Sequence, residues 1–486
     1  VSSRDSSASI VADCSPRFAI ANPDLMTDRP DMIERFQSAG LEWLTLDRNA
    51  VPAKEGLSLP AASRDDIAFL QYTSGSTSAP KGVMVSHGNL LANLEMKQIA
   101  LGNTRQSAYV SWVPLYHDMG LIANVLQTLY LGSLCVLLSP VTFLQRPTIW
   151  LRAIHQYRAE VAGAPNFAFD LCVSRFSVEQ MKDVDLSCWK VAFNAAEPIR
   201  ADTLERFASA FAPYGFDAQA IYPGYGMAEA TVLISSGRRG AGAATRAVSR
   251  DALQRHRAIP SVNSEDSYVV VGCGQALAGE RIAIVDPESR QRLDIDLIGE
   301  VWVHGPNVAQ GYWRQPEATA STFKARIEGE GEEGWLRTGD LGFLDEAGEL
   351  YLTGRIKDLI IVRGMNHYPQ DIEHTVENSH PALRKQGAAV FAALDAGGAQ
   401  KLVAVQEVER TQRHHISTED IAGCIREAVV NEHEIGIDVV VLIRPGALPK
   451  TTSGKIQRNL TRQLWEQGLL ETLGPPAEQP LRATQS

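Results

Sequence analysis

The segment Tyr72-Thr-Ser-Gly-Ser-Thr-Ser-Ala-Pro-Lys-Gly82 gathers hydroxyl side chains, glycines and a lysine into one loop. Such a loop can turn its backbone N–H groups toward a phosphate without side-chain obstruction. It is not a Walker A loop. There the lysine is followed at once by Ser or Thr, whereas Lys81 is followed by Gly82 and Val83. The plain alternative is a flexible Gly/Ser turn, which has no need of this hydroxyl density together with Pro-Lys-Gly. Further along, Leu448-Pro-Lys-Thr-Thr-Ser-Gly-Lys455 ends a second Gly/Ser loop on a lysine. An exposed loop lysine is the alternative there. Glu229 after a strand and Asp340 after Gly339 carry carboxylates that could equally be a solvated acid and a turn aspartate.

Alternating elements must position these groups. Residues 67–71 read as a short apolar strand running into the first loop. Apolar strands and amphipathic helices then alternate to about residue 221, as in doubly wound α/β architecture. Upstream, residues 1–15 are Ser-rich and read as loose, 31–39 have a helical period, 43–46 a strand pattern, and 52–63 form a connector. Residues 119–145 hold no charge but are broken by Asn124, Gln127, Gly132 and Pro140. A buried helix of about a dozen residues and a buried strand at 134–138 fit that run better than a bilayer span. Residues 238–267 turn Gly/Ala/Arg-rich and then polar, as in an insertion or a mobile surface element. Shorter strands at 281–285, 299–304 and 349–353 predict a β-rich subdomain.

These loops resemble the adenylate-forming superfamily of acyl-CoA synthetases, adenylation domains and luciferases. The first loop is similar to its phosphate loop, and Tyr225-Gly-Met-Ala-Glu-Ala-Thr231 to its Tyr-Gly-x-x-Glu element. Gly334-Trp-Leu-Arg-Thr-Gly-Asp340 resembles its ribose-binding element, Gly354-Arg-Ile-Lys-Asp358 its hinge, and residues 448–455 its catalytic-lysine loop. Val113-Pro-Leu-Tyr-His-Asp-Met-Gly-Leu-Ile122, Asn194-Ala-Ala-Glu-Pro-Ile-Arg200 and Arg363-Gly-Met-Asn-His-Tyr-Pro-Gln-Asp-Ile-Glu373 narrow the likeness to fatty acyl-AMP ligases. Residues 238–267 lie about where that subfamily carries its insertion. The family has a longer segment before the phosphate loop than the 71 residues found here, so a truncated N-terminus with exposed apolar surface is expected.

The resemblance implies an α/β fold: a large multi-layer domain over 1–356 with a β-rich subdomain, a small mobile α+β domain over 357–473, and a linker or tail over 474–486. It implies that a fatty acid is activated with ATP and passed to the phosphopantetheine thiol of an acyl-carrier protein. Thr73, Ser74, Gly75, Ser76, Thr77 and Lys81 would surround the β- and γ-phosphates. Glu197, Tyr225, Gly226 and Met227 would line the nucleotide, and Glu229 would hold Mg2+, a hard cation that prefers oxygen ligands. Asp340 would accept both ribose hydroxyls with Arg355 beside it. Lys455 would bridge the attacking carboxylate and the α-phosphate. Lys357 would be the hinge. Tyr116, His117 and Asp118 would edge the acyl site, with His117 in orientation or packing, because a carboxylate nucleophile is already ionised at neutral pH.

Composition bounds the remaining choices. At 486 residues the chain exceeds what one core fills, since cores stop growing near roughly 250–300 residues. A formal charge of −11 without a basic block argues against non-specific nucleic-acid binding. Six cysteines without a CxxC pair suit a reducing cytosol and exclude a disulfide framework. Three rivals remain: a fatty acyl-CoA ligase, an amino-acid adenylation domain and a non-catalytic binding module. The second usually places an aspartate in its pocket, and the third has no need of Lys455.

Overall fold

The computed structural model describes residues 3–28, 30–38, 40–46, 60–73, 80–263, 266–331, 334–395, 398–412, 417–451 and 454–473. Its centre is a seven-stranded sheet in the order Gln275–Ala276, Ser235–Ser236, Ile221–Tyr225, Val191–Asn194, Val161–Ala164, Tyr109–Ser111, Cys135–Leu137. The strands from Ile221–Tyr225 onward pair in parallel, and Ser235–Ser236 turns back antiparallel against Ile221–Tyr225. Crossover helices cover it because their apolar residues recur on one face. Helices Thr148–Gln156, Asn166–Arg175 and Ala201–Phe211 bury Trp150, Phe169, Phe207 and Phe211 with Trp189. Each such side chain contributes about 1.5–3 kcal/mol of burial, and the edge-to-face contacts of Trp150 with Trp189 and Phe169 with Phe207 add to it.

Two paired strands flank the loop expected to bind phosphate. Ile67–Thr73 pairs antiparallel with Lys81–Ser86, Thr73 opposite Lys81. Helix His87–Leu101 follows at once, started by a reciprocal cap between Ser86 and Asn89. A four-stranded antiparallel sheet, Arg281–Val285, Gly299–His304, Leu336–Leu344 and Leu350–Arg355, forms the β-rich subdomain. Past it stands a three-stranded sheet, Leu383–Leu394, Gln400–Val408 and Val439–Ile443, flanked by helices Pro369–Asn378, Thr418–His433 and Arg458–Glu466. Its two faces carry separate apolar clusters, one including Ile372, Ile425 and Val440 and the other Phe391, Val441 and Trp465.

The structure fills in three sequence expectations and corrects two of them, the loose start and the buried strand. Residues 3–14 form the helix Ser3–Cys14, and its Asp13 accepts a 2.5 Å bond from the Tyr72 hydroxyl. The stretch 238–267 holds strand Thr245–Ser249 and helix Arg250–Gln254, with Val248 and Leu253 packed beside Leu341, Phe343 and Tyr351. The buried strand expected at 134–138 is the short edge strand Cys135–Leu137, half-exposed at Leu137. Among the described residues, Cys135–Leu137 stands at the end of the sheet beside Tyr109–Ser111.

Phe18, Ile20, Leu44 and Leu46 are likewise exposed on or beside the two-stranded parallel sheet Phe18–Ala21 with Glu42–Thr45. Among the described residues no helix is long and apolar enough to cross a membrane. All six cysteines are free.

Candidate active site

Strand ends bring the site together. Ile221–Tyr225 ends on Tyr225, and its hydroxyl donates to Asp340 Oδ2 at 2.7 Å. Asp340 lies in Leu336–Leu344 directly opposite Arg355 of the next strand, and Arg355 Nε donates to Asp340 Oδ1 at 2.8 Å. Among the described residues each carboxylate oxygen is thus engaged once, which leaves each a second lone pair as an acceptor. Asp340 is buried while Arg355 is largely exposed. The Asp340 charge raises the Arg355 pKa further above its ordinary range.

From Tyr225 the chain passes Gly226 and an extended Met227 into the short helical turn Ala228–Ala230. A Cβ at Gly226 would stand 1.7 Å from the Val232 carbonyl oxygen, so only glycine lets the returning strand come this close. Gly226→Ala is therefore expected to lower the unfolding temperature by about 1–4 °C or more, as a displacement costing at least about 1–3 kcal/mol would in a domain of this size. A calorimetric scan unchanged from the parent would contradict that packing.

Glu229 sits in that turn, buried, and its Oε1 accepts the Tyr312 hydroxyl at 2.8 Å. Burial raises its pKa, and the Tyr312 bond partly opposes this. Lys81 places Nζ 4.6 Å over the Tyr312 ring, so one tyrosine joins that lysine to the buried carboxylate. Tyr312 carries no motif of its own and was missed. Its site partners stand far away in the sequence.

His117 and Asp118 are close-packed, with Nδ1 to Oδ1 at 2.6 Å, and the Tyr116 carbonyl accepts from Gln71 Nε2 at 2.9 Å. The Tyr116 side chain is exposed. For Asp118, burial works to raise the pKa, but His117 and the Lys455 charge leave it below its ordinary value. Glu197 accepts the Phe167 N–H, and burial pushes its pKa up to about 7.

Lys455 belongs to the small unit yet reaches this centre. Its loop is closed by Thr451 N–H to the Lys455 carbonyl at 2.7 Å and Lys455 N–H to Thr451 Oγ1 at 3.0 Å. Gly454 stands against the ring of Phe167. Burial lowers the Lys455 pKa, opposed first by the Asp118 charge, with Arg355, Glu197 and Asp340 also within electrostatic reach. Several contacts dock the small unit on the large one. Arg200 Nη2 donates to the Gln370 carbonyl at 2.9 Å, and Asn366 Nδ2 to the Gln254 carbonyl at 2.8 Å. The Tyr268 hydroxyl donates to Asp371 Oδ1 at 2.6 Å, and Arg250 pairs with Glu432 at 2.6 Å.

Lys357 stays apart from this cluster, exposed in the short turn Ile356–Asp358. Thr73 ends its strand beside Lys81, while Ser74, Gly75, Ser76 and Thr77 lie outside the described residues.

Residues 2–313 match the family described as AMP-binding enzyme. The chain belongs to that family. Residues 357–474 of this AMP-binding enzyme also match the family described as Disco-interacting protein 2-like, AMP domain. It is 44% identical over 434 residues to the medium-chain fatty acid acyl-carrier-protein ligase JamA of Moorena producens, covering 89% of this chain and 73% of that protein. It is 42% identical over 410 residues to the corresponding ligase TtuA of Teredinibacter turnerae, covering 83% of this chain and 64% of that one. A crystal structure of a fatty acid AMP ligase from Legionella pneumophila superposes with a TM-score of 0.71 at 38% identity, covering 98% of this chain and 82% of that one. The AMP-binding enzyme therefore spans about two thirds to three quarters of the length of those two curated ligases.

Proposed function

We propose that this chain is a fatty acyl-AMP ligase that joins a fatty acid to ATP and hands the acyl group to the phosphopantetheine thiol of an acyl-carrier protein. The observation that carries the reading is the gathering of Lys455, Asp118, Glu197, Asp340 and Arg355 in one partly buried centre. In the first step a carboxylate oxygen bonds to the α-phosphorus, and the bond to the β-phosphate oxygen breaks to release pyrophosphate. Negative charge grows on the α-phosphoryl oxygens. Lys455 opposes it from this partly buried centre, where a charge acts more strongly than in bulk solvent. Asp340 and Arg355 orient the ribose, Tyr225 holds Asp340 in place, and the strand-end loop with Thr73–Thr77 and Lys81 cradles the departing phosphates.

Mg2+ fits Glu229. Among the described residues no group of three or more His, Cys, Asp and Glu side chains could hold a metal by itself. Mg2+ typically takes only one or two carboxylates and completes its shell with substrate phosphates and water. Bound there, it would neutralise phosphate charge. Tyr312 fixes the Glu229 rotamer from one oxygen and leaves the other to a cation.

The second step needs a different arrangement. A thiol sulfur must reach the acyl carbonyl, forming the C–S bond, losing its proton and expelling AMP, while Lys455 occupies the closed centre. Rotation about Lys357, with the division near 356/357, would clear the path. Arg250, Gln254 and Tyr268 in or beside the insertion grip the small domain. That grip supports an insertion which restrains the rotated state and makes thiol transfer the selective step. The free cysteines suit a cytoplasmic setting.

The test is product analysis. Fatty acid plus ATP and Mg2+ is expected to give acyl-adenylate and pyrophosphate. Added coenzyme A should yield little thioester, and a phosphopantetheinylated carrier should become acylated. Efficient acyl-CoA formation would overturn the carrier reading in favour of an acyl-CoA ligase, and amino-acid-dependent pyrophosphate release would favour an adenylation domain.

A further inference from the structure

Helix His87–Leu101 carries three buried polar side chains at a spacing of four, Asn89, Asn93 and Lys97. That spacing puts them on one face of the helix, one turn apart. Each spends its donors on backbone carbonyls of a segment that carries a site residue. Asn89 Nδ2 donates to the carbonyls of Pro306 and Val308 at 2.9 and 2.8 Å, just before Tyr312. Asn93 Nδ2 donates to the Leu233 carbonyl at 2.8 Å, just after Glu229. Lys97 Nζ donates to the Ile122 carbonyl at 3.0 Å, just after Tyr116, His117 and Asp118. One helix face thus fixes three separate stretches of the site.

The third contact is unlike the others. Its target is the π-helical turn Leu121–Leu126, a conformation that is rare and recurs at functional sites. Around this turn, side chains take up several carbonyls. Asn124 Nδ2 takes the Met119 carbonyl at 2.7 Å, and Thr128 Oγ1 takes those of Asn124 and Val125 at 3.0 and 2.9 Å. Gln127 Nε2 ties the same turn back to the Leu94 carbonyl of the long helix at 3.1 Å. Among the described residues the bond to Ile122 is the one hydrogen bond of the Lys97 ammonium.

Lys97 is 2% exposed, a position lysine almost never takes unless it is paired. Burial pushes its pKa down to about 7, and the Asp118 charge opposes that shift. A leucine or methionine would fill the same space without desolvating an amine. An ammonium placed here at that cost points to a function beyond packing.

We propose that Lys97 is a positioning residue for acid activation: through the Ile122 carbonyl it holds the π-helical turn that follows Tyr116, His117 and Asp118 and so sets the carboxylate side of the acyl site. The proposal rests on the ligase reading above. Lys97 itself touches no reacting atom. Its charge faces Asp118 through the interior, and its bond fixes the register with which the turn leaves the acyl-site residues.

Steady-state kinetics of Lys97→Met tests it, with pyrophosphate release read against fatty acid and ATP in turn. The KM for fatty acid is expected to rise about tenfold while the KM for ATP stays within about twofold, because only the acid-side wall moves. The unfolding temperature should hold or rise, since a buried charge is removed. Equal changes in both KM values, or unchanged kinetics, would overturn the positioning role. Should Lys97→Met fail to fold, Lys97→Gln keeps a donor of reduced reach, and the same split decides the matter. Parent enzyme that releases no pyrophosphate with any fatty acid would instead sink the ligase reading, so the two failures are separate.

Discussion

Lys455→Ala is expected to lower acyl-adenylate formation by a factor on the order of 10² or more, with ATP binding nearly unchanged. The magnitude follows from removing one preorganised donor aimed at charge that exists only near the transition state. Lys455 has Asp118, Glu197, Asp340 and Arg355 around it, and Arg355 is already committed to Asp340. Pyrophosphate exchange measures the step directly, and exchange near the parent level would remove Lys455 from the chemistry.

The same geometry sets a pH dependence. Burial lowers the Lys455 pKa below the ordinary 10.5, so the ammonium is lost earlier as pH rises. Adenylation rates should therefore decline on the alkaline side at a pH below 10.5, and that limb should vanish in Lys455→Ala. A limb unchanged by the substitution would assign it to another group.

Much of this centre was legible because its residues cluster in short motifs at strand ends. Tyr225, Glu229, Asp340, Arg355 and Lys455 were each found by their immediate neighbours, and the fold then placed them together. The α/β class was legible for a similar reason: apolar strands of the parallel sheet, covered on both faces, read as unbroken apolar runs. What escaped depends on pairing across long separations. Tyr312 matters only because Lys81 and Glu229 converge on its ring and hydroxyl.

The helix Ser3–Cys14 escaped because serine favours caps and turns over helix interiors, so composition argued for a loose start. Composition marks 238–267 as an insertion or a mobile element, but its strand and helix were not legible because its few apolar residues, Val248 and Leu253 among them, pack on Phe343 and Tyr351 of another sheet rather than on each other. Lys97 lies outside every motif, in a helix of mixed polar and apolar residues. Its spacing of four from Asn89 and Asn93 was the available signal.

Glu229→Gln carries the other large effect, a fall in adenylation on the order of 10² with a raised Mg2+ requirement, since the charge that attracts a hard cation is lost while size is kept. The substitution also separates chemistry from stability. The folded state raises the Glu229 pKa above its ordinary 4.5 because burial disfavours the carboxylate. The native protein thus binds this proton more tightly than the unfolded chain does. Between pH 4.5 and the raised value, stability falls as pH rises, and above it the ionised carboxylate is a cost unless a cation offsets it. Without Mg2+, Glu229→Gln should therefore unfold at the parent temperature or above it, provided the Gln amide still accepts the Tyr312 hydroxyl. Excess Mg2+ with ATP should stabilise the parent more than the variant, because the cation binds the folded carboxylate. Paired thermal scans with and without Mg2+-ATP, alongside a Mg2+ titration of pyrophosphate release, measure both effects. An unchanged titration would put Glu229 outside the metal shell, and a variant that unfolds early without Mg2+ would make its role one of packing with Tyr312.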